Sequence, residues 1–219
     1  MMQPTVEPKG PALDPRVTAH LESLLARRPE LAVVRQAVVE AFSLLRDSFV
    51  SGGTLYLAGN GGSASDCEHF SAELLKSFLM PRPLPPSERL GLPVEVAESL
   101  ELGLPAVPLT GFMGLRSAMS NDVQGPYEFA QLVQALARPG DVLCCITTSG
   151  NSANLVQAVH VARARGVKVL GVTARDGGVI ARLCDVEVRA PAGRTFEAQE
   201  LHLPIYHALA LMLEAHFFA

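Results

Sequence analysis

LYLAGNGGSASDCEHFSAELLKSF, residues 55–78, decides how the chain is read. Four apolar residues, Leu55-Tyr56-Leu57-Ala58, have the length of a buried strand; Gly59-Asn60-Gly61-Gly62-Ser63 breaks the pattern, and apolar positions then recur at helical spacing. The stretch is therefore a strand, a glycine turn and a helix start. Glycine at the turn admits positive φ and brings bare N–H groups close to a ligand, and the helix N-terminus adds unsatisfied donors and partial positive charge. An anionic group, a phosphate above all, suits that place. His69 and Glu73 stand four residues apart on the helix, so both project from one face toward a common atom. Without further partners this pair reads equally as an ordinary half-exposed helix face.

Working outward, the same grammar returns. Val142-Leu143-Cys144-Cys145-Ile146 is an apolar run of strand length, Thr147-Thr148-Ser149-Gly150-Asn151-Ser152 is a hydroxyl-rich turn, and a helix follows to about Arg165. This turn is a second phosphate-cradle candidate. Its plainer reading is a helix cap, a position Ser and Thr favour anyway. No Gly-Lys-Ser/Thr follows either turn, which argues against nucleotide hydrolysis. Ala106 to Thr110, Lys168 to Thr173 and Val186 to Ala190 read as further strands, with helices over Met113–Ser120, Tyr127–Ala137 and Phe196–Phe217. Strands alternating with helices predict an α/β fold with a parallel sheet covered on both faces and ligands at the carboxyl ends of its strands.

Ahead of the first strand, Leu21, Leu24, Leu25, Leu31, Val34, Val38, Phe42 and Leu45 form an apolar stripe interrupted at Arg28-Pro29, which predicts two helices. Residues 1–14, with Pro4, Pro8 and Pro11, read as a loose arm, and residues 15–219 as a single domain. The prolines of PRPLPPSERLGLPVEVAESLELGLP, residues 81–105, predict a surface excursion with a helical turn or two from Val94 to Leu100.

Composition narrows the function. A net charge of −4 without a basic cluster argues against nucleic acid as a partner. The apolar fraction of 48% contains no run approaching the ~18 residues of a membrane span, and MMQPTVEPKGPALDP lacks an apolar signal core, so the expected address is cytoplasmic. Cys67, Cys144, Cys145 and Cys184 include no CxxC pair and read as reduced core thiols. In the last helix Gln199, Glu200, His202 and His207 interrupt a Leu/Ile/Ala background, and an imidazole there needs a partner. With His69 and Glu73 they supply a donor set suited to zinc. Gln199 and His207 lie roughly 12 Å apart along a regular helix, so convergence on one ion requires leaning side chains or a disturbance near Pro204. His202 and His216 read as structural or surface residues.

GNGGSASDCEHFSAEL, SND, ITTSGNSANLVQAV and QELHLPIYH, in this order, resemble the phosphoheptose isomerases of the sugar-isomerase (SIS) domain superfamily. The resemblance runs from about residue 30 to the end. It implies a three-layer α-β-α sandwich on a five-stranded parallel sheet of flavodoxin-like order, a homotetramer with active sites between subunits, and interconversion of sedoheptulose 7-phosphate and D-glycero-D-manno-heptose 7-phosphate. It also implies Zn2+ on His69, Glu73, Gln199 and His207, with Glu73 and His207 as the acid–base pair. Substrate contacts would come from Asn60, Gly61, Gly62, Glu73, Asn121, Asp122, Thr147, Thr148, Ser149, Ser152 and Gln199. Two departures stand out. About twenty residues, 86–104, are inserted before the Ala106 strand, a length that marks functional or disordered loops, and Lys76-Ser77 stands where many members carry an arginine, leaving Arg82 or Arg116 to substitute. The competing readings are an isomerase of another phosphosugar and a non-catalytic relative that binds the replication initiator or senses phosphosugar. The presence of both Glu73 and His207 favours an enzyme.

Overall fold

The computed structural model describes residues 13–219. Most of the arm expected over residues 1–14 lies outside the described residues. Asp14 caps the first helix, its carboxylate accepting the Arg16 N–H at 2.8 Å, and Leu13 packs on the core.

The chain order is α1 (Pro15–Arg27), a 3-10 turn (Pro29–Val34), α2 (Arg35–Val50), β1 (Leu55–Gly59), α3 (Gly62–Leu75), α4 (Val94–Ser99), β2 (Ala106–Pro108), α5 (Met113–Asp122), α6 (Glu128–Leu136), β3 (Val142–Ile146), α7 (Ala153–Ala164), β4 (Lys168–Thr173), α8 (Gly178–Ala181), β5 (Val186–Arg189) and α9 (Thr195–Phe218). All neighbouring strands pair in parallel, in the order β2-β1-β3-β4-β5. Alternate strand residues feed two separate cores. Leu55, Leu57, Cys144 and Leu170 meet α1, α2, α3 and α9, whereas Tyr56, Ala58, Cys145 and Val169 meet α6 and α7. The period of two along each strand, with both faces apolar, thus produces three layers. Cys67, Cys144 and Cys145 are buried free thiols; burial alone pushes Cys144 up to about 12.

Because β1 and β3 are sheet neighbours, with Gly59 opposite Ile146, their two polar turns open side by side at the carboxyl edge. This is where the strand order reverses, the position at which doubly wound sheets leave a crevice. Helix α9, apolar on nearly all sides, runs unbroken through Pro204 from Thr195 to Phe218 and packs on α1, α2 and α3.

The proline-rich excursion leaves and returns at one point. Pro83 and Glu101 form an antiparallel bridge, the Leu102 N–H donates to the Arg82 carbonyl at 2.7 Å, and the Leu104 N–H to the Leu74 carbonyl at 2.9 Å. Arg82 itself corrects an expectation. Its side chain is fully buried and donates to Glu214 (Nη2 to Oε1, 2.7 Å) and to the Leu74 carbonyl (2.9 Å), with Phe218 against the guanidinium at 4.4 Å. Glu214 also accepts the N–H groups of Phe78 and Leu79 at 2.8 and 2.9 Å. Burial would raise the Glu214 carboxyl, but these donors outweigh it and hold the group below its ordinary value. All of this guanidinium is committed to closing the end of α3 onto α9, so Arg82 does not replace the missing arginine.

Candidate active site

The two turns line a cavity of about 410 Å³ bounded by Asn60, Gly61, Gly62, Thr147, Thr148, Ser149, Ser152 and Gln199. Gly61 takes φ 56°, which aims the first turn of α3 into this space, and no side chain caps that helix. Ser152 stands at the N-cap of α7 yet makes no capping bond, so the plainer reading of TTSGNS as a self-capped helix start does not describe it. The Thr147 hydroxyl instead accepts the Gly150 N–H at 3.3 Å, and the Ser149 hydroxyl the Asn151 N–H at 3.2 Å. Gly150, at φ 65°, packs so closely on the carbonyl of Gly177 that any Cβ would overlap it. Asn60 and Asn154 exchange two amide bonds of 2.9 Å each, and Asn154 donates a third to Glu128 at 2.7 Å. Asn154 thereby ties the two turns together, a role hidden in the sequence because its partner lies 94 residues away.

Along α3 from this cavity, three donors converge. His69 Nε2 lies 3.1 Å from Glu73 Oε1 and 3.3 Å from His207 Nε2, and the ligand atoms of all three residues fall within 4.8 Å of one another. The His69–Glu73 part follows from helical spacing on α3, whereas His207 arrives because α9 packs across that face. Donors about 2.05 Å from a tetrahedral zinc are separated by about 3.3 Å, so the chemistry and spacing of this set fit such an ion. Burial lowers the His207 imidazole, and the neighbouring His69 adds to the effect while Glu73 opposes it, a direction that favours the neutral form a ligand or proton acceptor needs. The Gln199 amide lies over Gly62, and the residue stands on the wall shared by the turn-lined cavity and a second one of about 510 Å³ that is also lined by Asp66, His69 and Tyr206.

Asn121 and Asp122 are not brought to either cavity. They are exposed at the end of α5, which runs two residues beyond the expected Ser120, and Asn121 donates to Asp122 at 2.8 Å. Arg116 lines a separate cavity with Met113, Ser117 and Glu128, its guanidinium 5.3 Å from the Phe129 ring. His202 is structural: fully buried, with Nε2 2.9 Å from the Thr173 carbonyl. His216 packs edge-on against Phe42 and Phe217.

The SIS domain model matches residues 25–174. The phosphoheptose isomerase of Yersinia pestis (strain Pestoides F) is 38% identical over 179 residues, covering 81% of this chain and 82% of the relative. The chain belongs to the phosphoheptose isomerases of the SIS domain family. That of Glaesserella parasuis is 36% identical over 178 residues, covering 81% and 82% of the two chains. Among solved structures, the phosphoheptose isomerase of Neisseria gonorrhoeae superposes with a TM-score of 0.71 at 33% identity, covering 91% of this chain and 97% of that one. The enzyme from Francisella tularensis gives 0.70 at 27% identity, covering 90% and 96%. The family membership accounts for the five-stranded parallel sheet, and among the described residues no helix is long and apolar enough to cross a membrane.

Proposed function

We propose that this chain is a ketose–aldose isomerase converting sedoheptulose 7-phosphate to D-glycero-D-manno-heptose 7-phosphate through an enediolate. The observation that carries the reading is the placement of His69, Glu73 and His207 beside an uncapped, hydroxyl-lined cavity, with Gln199 on the common wall. Backbone N–H groups at Gly61 and Gly62 and the hydroxyls of Thr147, Thr148, Ser149 and Ser152 would hold the phosphate. Asn60, fixed by Asn154, would orient the sugar. Glu73 would take the proton from C1 of the ketose and return it to C2, while His207 moves the hydroxyl proton from O1 to O2. His69, Glu73, Gln199 and His207 would hold zinc, which supplies Lewis-acid polarisation of the carbonyl when bound.

Because Asn121 and Asp122 face outward in the single chain, we assign them to the active site of a neighbouring copy in a homotetramer. Residues 15–219 form the SIS unit, carrying the 86–104 segment as its insertion, and its working place is the cytoplasm. A related reading, isomerisation of another phosphosugar, is favoured by that insertion and by the burial of Arg82.

NMR in deuterated water with sedoheptulose 7-phosphate tests the proposal. Deuterium is expected at C1 of the ketose and C2 of the aldose with the wild type, and is expected to be lost in Glu73→Gln. No exchange by the wild type on this sugar, but exchange on a hexose phosphate, moves the assignment to the second substrate. Exchange on neither would leave a binding module, and unchanged exchange in the variant would remove Glu73 as the base.

A further inference from the structure

The donor cluster has a support that the proposed chemistry does not use. Asp66 lies one turn before His69 on α3, and Tyr206 precedes His207 on α9. The Tyr206 hydroxyl sits 3.1 Å from His69 Nδ1 and 3.3 Å from Asp66 Oδ1. Its ring is stacked on Phe70, with centroids 5.5 Å apart at 25°, and stands edge-on to His69 at 5.5 Å. The hydroxyl position is therefore set by packing.

We propose that Asp66 and Tyr206 are positioning residues, a relay that holds His69 as the Nδ1–H tautomer and so presents the bare Nε2 to the point shared by Glu73 and His207. A phenol has one proton to donate. If His69 carries its proton on Nδ1, that N–H donates to the Tyr206 oxygen and the phenol proton goes to Asp66, so every proton in the chain has an acceptor. If the proton sits on Nε2, the phenol must donate to Nδ1, and Asp66 Oδ1 loses its donor. That loss would be costly, because Asp66 Oδ2 is already buried without a hydrogen-bond partner among the described residues. The orphaned oxygen thus makes Asp66 depend on Tyr206 and selects one tautomer of a histidine it does not touch. An imidazole whose far nitrogen is tied in this way is oriented and made more basic toward a metal ion. The relay rests on the proposed metal reading: without an ion the Glu73 carboxylate, which can only accept, lies 3.1 Å from His69 Nε2 and competes for the proton there, whereas an ion held at that point would remove the competition and leave the proton on Nδ1.

Two measurements on Tyr206→Phe, which keeps the ring and deletes only the hydroxyl, test the relay. Zinc affinity, measured by competition with a chromogenic chelator, is expected to fall by about 10- to 100-fold. In the zinc-loaded protein, proton–nitrogen NMR is expected to find the His69 Nδ1–H protected from exchange with water in the wild type and exchanging faster in the variant. Unchanged zinc affinity or unchanged exchange in the variant would overturn the relay, whereas a wild type that takes up no zinc would overturn the metal reading on which it rests. Should Tyr206→Phe fail to fold, Asp66→Ala removes the other end and is read by the same two measurements, with the same expected changes.

Discussion

The units β1–α3 and β3–α7 start alike and end differently. Both have a buried strand, a polar turn containing glycine and a helix whose N-terminus opens onto the same cavity. Beyond the first turn, α7 presents Leu155, Ala158, Val159 and Ala162 to α6 and the sheet and carries no reactive cluster. Helix α3 packs on α9, and that seam gathers Asp66, His69, Glu73, Tyr206 and His207. A strand–turn–helix start suffices to bind an anion, because N–H groups and the helix dipole are inherent in it. Chemistry requires a second helix to bring the complementary side chains.

That contrast is sharpest at Glu73. Glu73→Gln should reduce turnover by about 10²- to 10⁴-fold, with an unchanged melting temperature when wild type and variant are compared without metal, whereas no single polar change on α7 should approach this. Comparable losses from an α7 variant in steady-state assays would erase the distinction between the units. The α3–α9 seam should also be the more fragile in structure. Arg82→Met leaves the Glu214 carboxylate buried without its guanidinium, a loss of about 3–5 kcal/mol to be read from urea unfolding. Removing the proposed metal ion should be felt at the same seam. If the ion is bound at 100 times its dissociation constant, chelation removes about 2.7 kcal/mol, visible as a lowered melting temperature in the wild type and not in His69→Ala.

Smaller effects belong to the second unit and to α9. Ser152→Ala deletes one hydroxyl beside the proposed phosphate site and should raise KM by roughly tenfold with kcat little changed, as expected for loss of about 1.4 kcal/mol of binding. The smallest effect concerns His202, which burial holds neutral with its imidazole below the ordinary value. The unfolded chain then binds the extra proton below about pH 6.5, so stability present above that pH falls as acidity rises. Thermal melts from pH 7 to 5 should show a steeper decline for the wild type than for His202→Gln, which keeps a donor for the Thr173 carbonyl.

The strands Val142–Ile146 and Lys168–Thr173 were legible to the residue because apolar runs end abruptly at turn residues. The end of α5 was not, since Asn121-Asp122 reads as a break and the backbone nevertheless stays helical through Asp122. At the site, the two turns and the His69–Glu73 pair follow from local spacing. Arg82 misled because charge implies exposure, and only Glu214, 132 residues on, makes its burial tolerable. Tyr206 carried no signal at all, because its role depends on the seam 137 residues from His69.

The amino-acid sequence alone determined the alternation of strands and helices, the two anion-ready turns and the residues able to bind a metal. These follow from short-range rules: side-chain period, turn propensity and spacing along one helix. Tertiary structure alone decided that His207 meets His69 while Gln199 turns toward Gly62, that Arg82 is a clasp, and that Asn121 and Asp122 face away. Such outcomes depend on how α9 lies across α3, and that packing is settled by the whole apolar core rather than by any one segment.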